Sequence, residues 1–197
     1  MRSASEKFYD RLAVFYPAID LFLRPQKRTL IRLINTMPEG KLLEVGIGTG
    51  SHLKDYSGHV ITGIDVSERM LARAHKQHHS NLVTLLKMDA SSLSFANNTF
   101  DYAVLSHVIA VVPDATNVMN EVFRVLKPGG KVFILNHFTP DTALKHIDRV
   151  FENVMELFHV RSVFPVSALA VDNLTLTEEH TLRPFSYFKI LVYEKGL

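Results

Sequence analysis

The chain contains no cysteine. That absence excludes disulfide staples, thiolate metal sites and a cysteine nucleophile together. No run of about 18 apolar residues is present, so no segment reads as a bilayer-spanning helix. The first residues, Met1 to Lys7, lack the apolar stretch of an export signal, which makes the cytoplasm the expected compartment. Charge of one sign is scarce too: 22 Lys and Arg against 20 Asp and Glu leave a formal net charge of +2. There is no internal repeat, low-complexity tract or linker. At 197 residues the chain is expected to be one domain with a well-buried core.

What is present has the balance of a globular chain, 47% hydrophobic and 21% charged. Phe8, Leu12, Phe15, Ile19 and Phe22 recur at steps of four and three, which predicts a helix over 5–23. Pro25 suits a first helical turn, so a second helix is expected from there to Met37, broken by Pro38-Glu39-Gly40. No acidic residue occurs between 24 and 38. Arg24, Arg28 and Arg32 share a face of that helix, with Lys27 nearby. Such a stripe suits phosphates, or is a solvated helix face.

From residue 40 the period changes. Strands are expected at Lys41–Val45, Val60–Ile64, Leu82–Lys87, Phe100–Ser106 and Lys131–Asn136, and strand-like runs at 173–182 and 187–194 with Pro184 between them. Helices are expected after Ser67, which can cap one running through Met70, Leu71 and Ala74, and over 114–127 and 141–159. Pro128-Gly129-Gly130 reads as a sharp exit into the fifth strand. This alternation predicts an α/β fold, Rossmann-like and doubly wound. Its seven-stranded sheet is mostly parallel, with an antiparallel last strand and extra N-terminal helices. In such sheets ligands bind at the carboxyl ends of the strands, near the reversal of strand order.

Those ends carry the unusual residues. The first strand runs into Glu44-Val45-Gly46-Ile47-Gly48-Thr49-Gly50, a turn able to bring backbone against a ligand. The second ends in Asp65, 19 residues after Gly46, where a carboxylate can accept both hydroxyls of a ribose. The dinucleotide fingerprint needs its third glycine at 51, which is Ser51; here it stands at 50. No Walker lysine follows, which argues against a nucleoside triphosphate.

The G-x-G-x-G turn preceded by Glu44 resembles motif I of class I S-adenosylmethionine-dependent methyltransferases. Lys87-Met88-Asp89-Ala90 is similar to the family's segment that places a carboxylate on the adenine amino group. Asp101 to Ser106-His107 resembles the strand motif beside the methyl donor, and Leu126-Lys127-Pro128-Gly129-Gly130 the turn before strand five. The resemblance covers residues 40–137 well and implies S-adenosylmethionine as cofactor. It implies Glu44, Gly46, Ile47, Gly48, Gly50, Asp65, Val66, Met70, Met88, Asp89, Ala90, Ser106 and His107 as the residues around it. On this view 1–197 is a single methyltransferase domain. Residues 1–39 form a lid or a membrane-contacting element, and 40–197 the catalytic core.

A narrower resemblance runs from His107 through Val111-Val112-Pro113-Asp114 to Asn136-His137-Phe138. It is to soluble bacterial phosphatidylethanolamine N-methyltransferases and implies an amino-lipid acceptor reached at an anionic membrane surface. A soluble small molecule or a quinone-type ring is the alternative acceptor. His107 and His137 are the expected proton relays or headgroup ligands, unless they only hydrogen-bond backbone near the pocket. Tyr9 and Tyr16 are expected to close the pocket if the first helix folds over it. His75 and His79 are one helical turn apart, but no acid completes a set with His78, so no metal is expected. A nicotinamide-dependent oxidoreductase fits poorly because of Ser51 and the lack of a substrate domain. The intact turn and Asp65 argue against a non-catalytic module. The amino-directed DNA methyltransferase motif is missing, and no nucleic-acid partner is expected.

Overall fold

The structure, a computed structural model, describes residues 16–77, 82–137, 171–182 and 188–197. In chain order these form α1 (Tyr16–Ile34), β1 (Gly40–Val45), a 3-10 turn (Leu53–Asp55), β2 (His59–Asp65), α2 (Glu68–Ala74) and β3 (Val83–Lys87). They continue with β4 (Phe100–Ser106), α3 (Ala115–Val125), β5 (Leu126–His137), β6 (Leu174–Leu182) and β7 (Phe188–Lys195).

The strands build one seven-stranded sheet in the order β3-β2-β1-β4-β5-β7-β6. Neighbours from β3 to β5 pair in parallel, while β7 runs antiparallel to both β5 and β6. The expected antiparallel finish is therefore present, with β7 inserted between β5 and β6. Strand order reverses between β1 and β4, which puts the crevice at their carboxyl ends.

Alternating side chains divide the core into two layers. Leu43 and Val45 join Val118, Met119, Val122 and Val125 of α3 on one face of the sheet. Leu42 joins Leu30 and Ile34 of α1 and Leu71 of α2 on the other. A sheet covered on both faces explains why β1 from Leu42 to Val45 reads as an apolar run interrupted only by Glu44. The α3 stripe starts from Asp114, whose carboxylate accepts the Asn117 N–H at 3.0 Å, and α2 from Ser67, whose hydroxyl accepts the Met70 N–H at 3.3 Å. Each such cap contributes about 1 kcal/mol.

Two side-chain networks tie α3 to its surroundings. Arg124 donates to the carbonyls of Leu93 and Phe95, at 2.7 Å each, and pairs with Glu121, whose Oε2 accepts the Leu93 N–H at 2.8 Å. They hold the loop that follows Asp89 against α3. At the other end Lys195 donates to the carbonyls of Phe123 and Leu126 at 2.8 and 2.7 Å, and lies over the Phe123 ring. It closes the carboxyl end of α3, where a cation suits the helix dipole.

Two expectations are corrected. Pro25 does not begin a helix: α1 runs through it from Tyr16, and Thr29 Oγ1 donates to the Pro25 carbonyl at 3.2 Å. An interior proline removes its own N–H bond and crowds the carbonyl four residues earlier, a cost of about 3 kcal/mol that the buried apolar face of Leu30, Ile31 and Ile34 offsets. Pro128-Gly129-Gly130 does not precede the fifth strand but lies inside it. The β4 partner shifts from Phe100↔Leu126 to Tyr102↔Lys131, a bulge that absorbs the extra residues without ending the ladder. The basic stripe stands as expected: Arg24, Arg28 and Arg32 face outward, while neighbouring Lys27 is 6% exposed. The start of the first predicted helix, the helix over 141–159 and Pro184 lie outside the described residues.

Candidate active site

Glu44 and Val45 end β1, and the chain then turns through Gly46, Gly48 and Gly50, with φ of 69°, 59° and 65°. A Cβ on Gly46 would collide with Val108 Cγ2 from the connection after β4. A Cβ on Gly50 would lie 2.9 Å from both Ala74 Cβ in α2 and Leu53 Cδ1. The glycine at 50 thus gives the turn its close approach to a helix, a service the dinucleotide fingerprint obtains from its own third glycine. The crossover from β1 to β2 contains only the 3-10 turn among its regular elements, so no full helix stands behind the glycines.

Asp65 binds the turn to the end of β2. Its Oδ2 accepts the Gly48 N–H and its Oδ1 the Ser67 N–H, both at 2.9 Å. Burial pushes its pKa up, against the lowering effect of these backbone donors. A carboxylate offers about four acceptor positions, so capacity remains for a diol. The Met88 N–H donates to the Asp65 carbonyl at 3.1 Å, which draws the end of β3 to the same place. Asp89 is exposed there, its Oδ1 accepting the Ser91 N–H and hydroxyl at 2.9 and 2.8 Å.

Across the switch point β4 ends in Ser106 and His107. Ser106 Oγ is buried with no hydrogen-bond partner among the described residues. His107 has φ of +59°, a conformation that costs a non-glycine residue about 1–3 kcal/mol and tends to mark functional positions. Its N–H donates to the Leu135 carbonyl at 2.8 Å, and its ring meets Phe188 edge to face at 5.5 Å. In the β5–β7 ladder Asn136 faces Lys189 and His137 faces Phe188. The ends of β4 and β5 and the beginning of β7 therefore converge.

The sequence-predicted residues are gathered as follows. Glu44, the three glycines, Asp65, Val66, Met88 and Asp89 line the carboxyl ends of β1 to β3, and Ser106 and His107 that of β4. Ile47 is fully buried and Met70 is 3% exposed. Both side chains serve the core, and the Ile47 main chain is committed as well, its N–H donating to the Ile64 carbonyl at 3.0 Å and its carbonyl accepting the Gly50 N–H at 3.2 Å. Ala90 is likewise packed against the α3 layer. Tyr9, Phe138, His78 and His79 lie outside the described residues, and His75 is exposed at the end of α2. Among the described residues no group of three His, Cys, Asp or Glu is placed to hold a metal.

Two features were missing from the sequence reading. Phe188 reaches His107 only through the register of β7, which no local pattern reports. His52 and Tyr56 surround Glu44: His52 Nε2 stands 2.5 Å from Glu44 Oε1, and the ring of Tyr56 meets that of His52 at 6.1 Å. Burial, then the charge of Glu44, holds the Tyr56 pKa well above the ordinary phenol value. Glu44 Oε2 is buried without a hydrogen-bond partner among the described residues. The donor set fits a nucleoside with a cationic tail: a diol acceptor at Asp65, a close backbone cradle, and a buried carboxylate with one oxygen uncommitted.

Comparison with known proteins points the same way. A methyltransferase-domain family profile matches residues 43–134. A phosphatidylethanolamine N-methyltransferase of Cereibacter sphaeroides is 31% identical over 199 residues, spanning 98% of both chains. A ubiquinone/menaquinone biosynthesis C-methyltransferase of Desulfotalea psychrophila is 30% identical over 68% of this chain, which spans 58% of that protein. Among solved structures, a Haemonchus contortus phosphoethanolamine N-methyltransferase superposes with a TM-score of 0.76 at 17% identity, over 100% of this chain and 61% of that one. A methyltransferase of Thermotoga maritima, described as a possible histamine N-methyltransferase, does so with 0.74 at 19%, over 96% and 99%. At such identities the structures speak for the fold alone, and kinship rests on the sequence relatives. By its glycine turn, its sheet order and a relative matched along nearly its whole length, the chain belongs to the class I S-adenosylmethionine-dependent methyltransferases.

Proposed function

We propose that this methyltransferase N-methylates phosphatidylethanolamine or a related amino-lipid at a membrane surface. The observation that carries the proposal is the span of the Cereibacter relative, which matches 98% of this chain where the quinone-type relatives match 68%. The methyltransferase-domain match spans 43–134, and the likeness to the Cereibacter relative extends beyond it over nearly the whole chain, which supports a shared type of acceptor. The exposed arginines of α1 are a second support: Arg24, Arg28 and Arg32 form an outward basic stripe suited to anionic headgroups. No described helix is long and apolar enough to cross a membrane, so lipid would be met from the surface.

Bound S-adenosylmethionine supplies a methyl made electrophilic by its sulfonium. The chain's own residues have to hold it and aim an acceptor at it, a positioning task. In our reading Asp65 takes the ribose hydroxyls, Asp89 the adenine amino group and the glycine turn the amino-acid chain that leaves the other side of the ribose. Ser106 and His107 face the transfer site, with His137 beside them on β5. An amine acceptor must give up a proton, and His107 is the group we assign to accept it, with His137 and Tyr9 completing the acceptor side. The strained backbone of His107 and its contact with Phe188 fix where that ring stands.

The test is transfer of labelled methyl from S-adenosylmethionine to vesicles. Label in the lipid of phosphatidylethanolamine vesicles supports the proposal. Label only in a demethylated quinone or a soluble amine offered in parallel overturns it. Changing Arg24, Arg28 and Arg32 together to Glu should weaken sedimentation with anionic vesicles, and unchanged sedimentation removes the stripe from the account.

A further inference from the structure

Glu44, His52 and Tyr56 make a buried polar cluster under the glycine turn, to which the ribose, adenine and acceptor contacts assign no role. Position along the sheet says which part of the cofactor comes there. The order is β3-β2-β1-β4, with Asp89 after β3 and Asp65 at the end of β2. A ligand with its base and ribose at those two ends brings its amino-acid tail to the end of β1, beside the transfer site after β4. There Glu44 is 1% exposed. One of its oxygens is taken by His52 Nε2, and the other is buried without a well-formed hydrogen bond among the described residues, the Tyr56 hydroxyl making only a weak approach to the carboxylate. An uncommitted buried carboxylate oxygen is unfavourable unless a donor or a cation meets it. The tail of S-adenosylmethionine ends in an ammonium.

We propose that His52 is a positioning residue for the amino-acid end of the cofactor: it fixes one oxygen of Glu44 so that the other is presented to the ligand's ammonium. Tyr56 walls the cluster, its ring against that of His52 and its hydroxyl buried near Glu44. His52 itself begins the 3-10 turn, and its ring, 7% exposed, is held by the fold before any ligand arrives. The inference rests on the cofactor assignment and is independent of the acceptor.

Calorimetry with two ligands separates this role from a structural one. S-adenosylhomocysteine has the amino-acid end, whereas 5′-methylthioadenosine keeps the adenine and ribose and lacks that end. In His52→Phe, which keeps a flat ring but no donor for Glu44, affinity for S-adenosylhomocysteine should fall about tenfold or more, the scale of one charge-assisted hydrogen bond. Affinity for 5′-methylthioadenosine should stay within about twofold of the parent value. His52→Gln, which restores a donor, should recover part of the loss. Equal losses for both ligands, or none for S-adenosylhomocysteine, overturn the proposal. If the Phe variant does not fold by circular dichroism, His52→Asn takes its place, too short to reach Glu44, and is judged on the same two affinities.

Discussion

Replacing Gly46 by alanine probes the joint between β1 and the connection after β4. Two costs follow from the geometry. At φ of +69° an alanine pays the left-handed penalty, and its Cβ collides with Val108 Cγ2. The first costs about 1–2 kcal/mol and the second, as overpacking, about 1–3 kcal/mol. Their sum, about 2–5 kcal/mol, lowers the melting temperature by about 5–15 °C for a chain of this size. The two parts separate in a double-mutant cycle. Val108→Ala removes the colliding methyl and leaves the backbone penalty, so the double variant should be more stable than the sum of the single effects predicts. A coupling of about 1–3 kcal/mol, measured by urea unfolding, is the expected result. Strict additivity would refute the claim that Val108 and the turn are in steric contact.

Two more predictions concern charge. Burial raises the Asp65 pKa, so its protonation sets in at a higher pH than for an ordinary aspartate, and the proposed role as acceptor of ribose hydroxyls needs it ionised. Affinity for S-adenosylhomocysteine should therefore decline on acidification already above about pH 3.9, the ordinary aspartate value, and calorimetry of Asp65→Asn should show weaker binding without that decline. Lys195→Met should lower stability by about 2–3 kcal/mol, because the carbonyls of Phe123 and Leu126 lose their donor at the end of α3. A melting temperature equal to the parent's would contradict it.

Much of the sheet can be read from the sequence because its central strands are buried on both faces and stand out as short apolar runs. Phe100–Ser106 is the clearest, and Ser67 and Asp114 announce their helices by ordinary capping chemistry. The glycine turn and Asp65 are legible for a related reason: both lie within one strand–turn–strand unit, where spacing fixes geometry. What escaped depends on tertiary context. Pro25 carries a start signal that packing of Leu30 and Ile34 overrides, and the bulge at Pro128 is a property of the β4 partner, not of the turn itself. His52 lies only eight residues from Glu44, but nothing in a 3-10 turn's sequence says where its ring points. Phe188 is further still, brought to His107 by the antiparallel register of β7 with β5.

That register also sets an order of assembly. β6 pairs with β7 alone among the described strands, and β5 gains its outer neighbour only when β7 arrives. During synthesis both earlier strands must wait with open edges, exposed to wrong partners, until the segment 188–195 has been made. The glycine cradle on β1 and β2 needs no such wait. Until β7 is in place, His107 lacks the Phe188 ring that packs against it edge to face.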